Sequence, residues 1–210
     1  MPKPVKIEVT ADVVCPWCWL GWRRLKRALE LSPGVSAEVS WKPYQLNPGM
    51  PAEGADYKQY MAAKFPPERM KQAQATLTEL GADEGIEFNF DRIARAPNTN
   101  AAHRLIRWAT EEGRLDAVAE GVMRAHFNEG RFIGDQNVLA DIGATAGMDR
   151  ARILAKFEQG VDIEAVKADD TLSRDSGISG VPFYRIGSGI TVEGSHPAED
   201  LAQEIAAAVR

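Results

Sequence analysis

No stretch of the chain approaches the roughly 18 consecutive apolar residues of a membrane-spanning helix, so no contact with a membrane is expected. Met1-Pro2-Lys3-Pro4 leads at once into an alternating segment and lacks the apolar core of a secretory signal; a reducing, cytoplasmic home is the expectation. Basic patches are equally scarce. The net charge is −5, and the one basic run is Arg23-Arg24-Leu25-Lys26-Arg27, which predicts a solvated helix face and argues against nucleic-acid binding. His103, His126 and His196 are the only histidines. None forms a closely spaced pair, so a structural zinc site lacks its usual ligand set and no metal is expected. What remains is ordinary globular composition, 44% hydrophobic and 26% charged over 210 residues, enough to bury a sizeable core in one or two domains.

Cysteine is scarcest of all, and both copies fall in one tetrapeptide, Cys15-Pro16-Trp17-Cys18. A two-residue gap lets two thiols at a helix start close into a small ring, the first open to attack a partner and the second behind it. Cys15 is then the nucleophile and Cys18 the resolver. A static structural disulfide is disfavoured, because so short a loop removes little chain entropy. Upstream, Val5 to Thr10 alternates like a strand. Downstream, Trp19, Trp22, Leu25 and Leu29 recur at helical spacing, with Pro16 suited to the first turn. Cys15 therefore falls at a helix N-terminus, where unpaired N–H groups and the helix dipole favour negative charge on sulfur.

The remaining pattern is split. Val35, Val39 and Trp41 alternate with polar residues up to Pro43 and complete a βαβ unit with parallel strands. From about Asp56 to Gln159 the period becomes helical. Met70, Ala73, Leu77 and Leu80 form a stripe between Pro66-Pro67 and Gly81, which is expected to end the helix. Thr99 is expected to cap a helix ending near Gly113, paired with a second from Leu115 to Gly130. Shorter helices precede Gly147 and Gly160, and Ile86 to Phe90 suggests an extended connection. A helix carrying Ile163, Val166 and Leu172 leads to Gly180-Val181-Pro182-Phe183. A hairpin across Gly187-Ser188-Gly189 and a closing helix through Leu201 and Ile205 follow.

Four segments carry a resemblance: Asp12-Val13-Val14-Cys15-Pro16-Trp17-Cys18 with Gly21, Asn98-Thr99 with Ala102-His103-Arg104, Gly180-Val181-Pro182-Phe183, and Glu193-Gly194-Ser195-His196-Pro197. The chain resembles the DsbA-like branch of the thioredoxin superfamily, and within it the FrnE-type subgroup. The resemblance implies an α/β thioredoxin fold interrupted by an all-helical domain, with residues 1–52 and 161–210 forming the thioredoxin-like unit and 53–160 the insertion. It also implies a cis Val181-Pro182 bond facing Cys15, with Val181 as a backbone clamp for substrate. The alternative is a plain strand-entry proline.

Two positions depart from that pattern. Thioredoxin and DsbA carry a carboxylate six residues before the nucleophile, where this chain has Val9. Asp12 stands closer, either as proton acceptor for Cys18 or as a cap of the loop before the helix. His196 replaces a more usual glutamine and reads as a surface residue. Trp17 either contacts substrate at the rim or shields the disulfide. Gly21, inside the helix, marks close packing or a kink.

The leading expectation is a thiol-disulfide oxidoreductase acting on protein, peptide or small-molecule disulfides and thiols. No cofactor is expected beyond glutathione as a co-substrate, and the chain is read as a monomer or homodimer. Two alternatives stand beside it. One is a glutathione-dependent isomerase or kappa-type transferase, whose relatives typically place serine at the Cys15 position. The other is a non-catalytic peptide-binding adaptor.

Overall fold

A computed structural model describes residues 4–209; Met1 to Lys3 and Arg210, the ends of the expected thioredoxin-like unit, lie outside the described residues. Four strands form the main sheet: β1 (Val5–Ala11), β2 (Ala37–Pro43), β5 (Phe183–Ile186) and β6 (Ile190–Glu193), in the order β2-β1-β5-β6. β1 runs parallel to β2 and antiparallel to β5, and β5 pairs antiparallel with β6. The parallel pair is joined by α1 (Pro16–Glu30), the crossover that parallel neighbours require. Val5, Ile7, Val9 and Ala11 are all buried, as expected for alternate positions of an inner strand.

Between β2 and α8 (Ile163–Asp175) the chain runs through β3 (Ala55–Asp56), α2 (Tyr57–Lys64), α3 (Pro67–Asp83), β4 (Arg95–Ala96), α4 (Asn100–Glu111), α5 (Leu115–Phe127), α6 (Gln136–Thr145) and α7 (Arg150–Glu158). The two short strands pair antiparallel. The closing helix, α9 (Ala198–Ala207), packs on α1, while α4 and α8 pack on β2. This is a thioredoxin fold with a helical insertion. No helix among the described residues is long and apolar enough to cross a membrane.

Three local expectations change. Gly81 does not end α3, which continues to Asp83. A Cβ at Gly81 would stand 2.7 Å from Cε2 of Phe88, so the glycine admits an aromatic ring, and the turn falls at Gly85 with φ +69. Leu172 is 67% exposed; α8 instead turns polar residues inward, with the Gln45 N–H donating to Asp170 at 2.8 Å and the Ser173 hydroxyl to the Pro43 carbonyl at 3.3 Å.

The basic run on α1 is a solvated face only in part: Arg27 is exposed and Arg23 and Lys26 are half-buried, whereas Arg24 is buried. Arg23 pairs with Glu120 at 2.7 Å, Lys26 with Asp116 at 2.9 Å and Arg24 with Glu84 at 3.4 Å, while Arg27 bridges Glu84 and Glu199. These pairs tie α1 to α5, to the end of α3 and to α9. Partly exposed pairs contribute about 1 kcal/mol or less each. The aromatic contacts beneath them weigh more. Trp19, 2% exposed, stacks on Phe127 at 6.0 Å and meets Phe88 edge-on at 5.3 Å, and burying one large apolar side chain is worth roughly 1.5–3 kcal/mol.

Candidate active site

Cys15 is the N-cap of α1 and Pro16 opens its first turn, where a missing N–H costs no hydrogen bond. The Cys15 carbonyl accepts the N–H groups of Cys18 at 3.0 Å and Trp19 at 3.3 Å, and the Cys15 N–H donates to the Asp12 carbonyl at 3.1 Å. These bonds fix both cysteines on one turn. Both are free thiols. The sequence predicts an exposed nucleophile, yet Cys15 is only 5% exposed, against 1% for Cys18. Its open edge faces a cleft of about 490 Å³ rather than bulk solvent, and Trp17, half-buried, lines the same cleft. Cys18 does not reach it.

The segment before β5 closes the other side. The Cys15 thiol donates to the Val181 carbonyl at 3.6 Å. The Val181–Pro182 peptide bond is cis, and the Pro182 carbonyl accepts the Gly194 N–H at 2.8 Å. Gly21 serves this packing: a Cβ there would lie 2.3 Å from the Tyr184 hydroxyl and 3.0 Å from Cγ of Pro182.

Burial pushes the Cys18 thiol well up, helped by the hydrogen bond and charge of Cys15, while the Asp12 backbone N–H works in the opposite direction. Tyr184 is also pushed up, first by burial and then by the two cysteines. It therefore stays a neutral phenol, and its hydroxyl has no hydrogen-bond partner among the described residues.

Asp12 is fully buried. Its Oδ2 accepts the Leu46 N–H at 2.7 Å, and its Oδ1 lies 3.1 Å from Nε2 of His103. The Trp41 indole N–H donates to Nδ1 of His103 at 3.2 Å. Because indole is a donor only, that bond leaves the imidazole proton on Nε2, directed at Asp12. The Asp12 side chain thus holds the loop after β2 and does not cap α1. Nor does Thr99 cap α4 with its side chain; the Asn98 carboxamide oxygen accepts the Asn100 N–H at 2.9 Å instead.

His126 is the residue sequence reasoning missed. It sits in the last turn of α5, fully buried, and lines the cleft with Nδ1 unpartnered among the described residues. Burial holds the imidazole down at about 4, with Asp12 opposing, so it is neutral near pH 7. Its helical spacing looks like that of any core residue, and no motif marks it. His196 lies exposed, beside the Glu193 carbonyl at 2.9 Å. Val9 is buried and supplies no proton acceptor.

Comparison with known proteins follows the same lines. The chain is similar over 87% of both lengths, at 28% identity, to the Bacillus subtilis (strain 168) protein YwbO, itself uncharacterized. It is similar to the crystal structure of a "probable DsbA oxidoreductase" from Streptomyces coelicolor, with a TM-score of 0.87 and 28% identity over 97% of this chain and 89% of that one. The cytosolic disulfide reductase DsbM from Pseudomonas aeruginosa, solved with glutathione, shares the fold at a TM-score of 0.64 and 19% identity, covering 96% of this chain and 98% of that one. A family model for the DSBA-like thioredoxin domain matches residues 6–206, and the chain belongs to that family.

Proposed function

We propose that the protein is a thiol-disulfide oxidoreductase of the FrnE type, with Cys15 as nucleophile and Cys18 as resolving thiol. One observation carries the reading: two free thiols share the first turn of α1, and only Cys15 opens into the cleft while touching the Val181 carbonyl. The Cys15 thiolate attacks a substrate disulfide, its S–S bond breaks, and one substrate thiol leaves with a proton. Cys18 then loses its proton and attacks Cys15, releasing the second thiol and leaving a Cys15–Cys18 disulfide. Two electrons pass from the protein dithiol to the substrate. Run backwards, the same steps oxidise a substrate dithiol.

Val181 offers its backbone to an extended substrate, and Trp17 an aromatic face at the rim. The buried Asp12 is the candidate proton acceptor for Cys18, Val9 being unable to serve. The intact pair of thiols speaks against an isomerase or transferase that activates the thiol of bound glutathione. We place the activity in a reducing cytoplasm because both cysteines of the chain belong to the motif. The test is insulin reduction with glutathione or dithiothreitol as electron donor. Turnover by the parent and none by Cys15→Ser is expected, and equal rates for the two proteins overturn the reading.

A further inference from the structure

The cleft beside Cys15 has more structure than disulfide exchange alone requires. Its volume, about 490 Å³, lies within the roughly 300–1,000 Å³ of small-molecule sites. Met50, Tyr57, Met61, Met70 and Phe90 supply an apolar wall, drawn from the loop after β2, the two helices α2 and α3, and the connection before β4. At the inner end His126 presents a neutral imidazole whose Nδ1 is buried and unpartnered among the described residues. A buried polar atom left unpaired is destabilising, and a ligand hydrogen bond offsets that cost.

The outer edge carries the opposite chemistry. Lys64 and Arg69, both exposed, line the cleft and make no ion pair among the described residues; Lys64 donates only to the Tyr60 hydroxyl at 2.7 Å. Asp12 borders the cleft, but its carboxylate is fully buried, accepts from Leu46 and faces His103. An occupant is thus met by apolar walls, one hydrogen-bonding group deep inside and uncompensated positive charge at the edge.

We propose that this cleft binds a low-molecular-weight disulfide with a compact apolar or aromatic body and a carboxylate, placing its sulfur against Cys15. The inference rests on the oxidoreductase reading above and names its substrate class. Cys15 attacks the bound disulfide and expels one thiol, and Cys18 releases the other. The ligand gains two electrons and the two cysteine protons, and the protein is left as the Cys15–Cys18 disulfide.

Two measurements test this separately. The first follows single-turnover oxidation of the reduced protein by dithiobis(nitrobenzoate), an aromatic disulfide with carboxylates, and by bis(hydroxyethyl) disulfide, each rate divided by that of free dithiothreitol. The normalised preference for the aromatic acid should fall about tenfold in Ala73→Trp, which fills the cleft, and about fivefold in the exposed pair Lys64→Glu/Arg69→Glu. The second needs no disulfide: anilinonaphthalenesulfonate, an apolar anion, should slow iodoacetamide alkylation of Cys15 about fivefold in the parent and not in either variant. Absence of protection, protection that survives in the charge-reversed variant, or a normalised preference for the aromatic acid that is unchanged in both variants overturns the small-ligand site. Failure of the reduced parent to react with any disulfide overturns the oxidoreductase reading and leaves the alkylation result to judge the cleft.

Discussion

Nε2 of His103 lies 3.1 Å from Oδ1 of Asp12, and neither side chain is exposed at all. Trp41 fixes the tautomer from behind, so the imidazole is a committed donor to a carboxylate with no access to water. Replacing it by His103→Phe keeps an aromatic ring but strands Oδ1, and a buried acceptor left unpaired costs about 1–3 kcal/mol. His103→Gln, whose amide can still donate, should lose less. Urea unfolding of the three proteins checks the order, and a phenylalanine variant as stable as the parent contradicts the account.

His126 predicts a separate response to acid. Its folded-state value of about 4 lies below the ordinary histidine value of about 6.5. The unfolded chain therefore takes up a proton that the folded chain refuses. This contribution to stability is present above pH 6.5 and is lost as pH falls through 4, reaching about 3 kcal/mol in all. Between pH 7 and pH 5 the parent should lose about 2 kcal/mol more than His126→Phe. Comparing the two proteins cancels the carboxylates, which titrate in both.

Gly21 tests the packing between α1 and the segment before β5. Alanine should stabilise a helix interior by about 1 kcal/mol. Here its methyl would meet the Tyr184 hydroxyl at 2.3 Å and Pro182 at 3.0 Å, and Tyr184 is fully buried with no room to swing aside. Overpacking of this kind costs about 1–3 kcal/mol, so Gly21→Ala should be net destabilising and should slow exchange by shifting Pro182 away from Cys15. A variant more stable than the parent would show that the loop yields freely.

The active turn was legible because its signals are local. A proline and two cysteines at fixed spacing define a helix start whatever lies around them, and period-two alternation in Val5 to Thr10 reads as a strand without knowing its partners. The cleft was not legible, because its walls come from segments scattered between Asp12 and Phe127 that share no pattern. Arg24 and Leu172 failed for a related reason. A charged residue on a helix reads as exposed until Glu84 arrives from another element, and a leucine reads as buried until polar partners such as Gln45 and Pro43 claim the inner face of α8. Gly81 was misjudged because glycine ends helices and also admits close neighbours, and only the position of Phe88 separates the two.

Cys18 carries the last prediction. Burial raises its thiol well above the ordinary range, and Cys15 raises it further through a hydrogen bond and its charge. The order of steps follows. While Cys15 is free, Cys18 stays protonated and inert; once Cys15 is in a mixed disulfide its charge is gone, and Cys18 ionises more readily to resolve it. Iodoacetamide should therefore label Cys15 alone in the reduced protein, and Cys18→Ser should accumulate mixed disulfides visible by intact mass. The same shift has a sign in stability. Above about pH 8.5 an unfolded cysteine releases its proton while folded Cys18 keeps it, so the reduced protein should lose stability as pH rises from there. Unfolded tyrosines are half ionised at about pH 10, so Tyr57, pushed up to about 12 by burial, and Tyr184, also pushed up, add losses over the same range, alike in parent and variant. The difference between the reduced parent and Cys18→Ala, in which Cys15 and the tyrosines are common to both, isolates the Cys18 thiol. Urea unfolding between about pH 8.5 and 10 should show a midpoint that falls more steeply for the reduced parent than for Cys18→Ala. Preferential labelling of Cys18, or a slope as steep in the alanine variant as in the parent, would reverse the assignment of nucleophile and resolver.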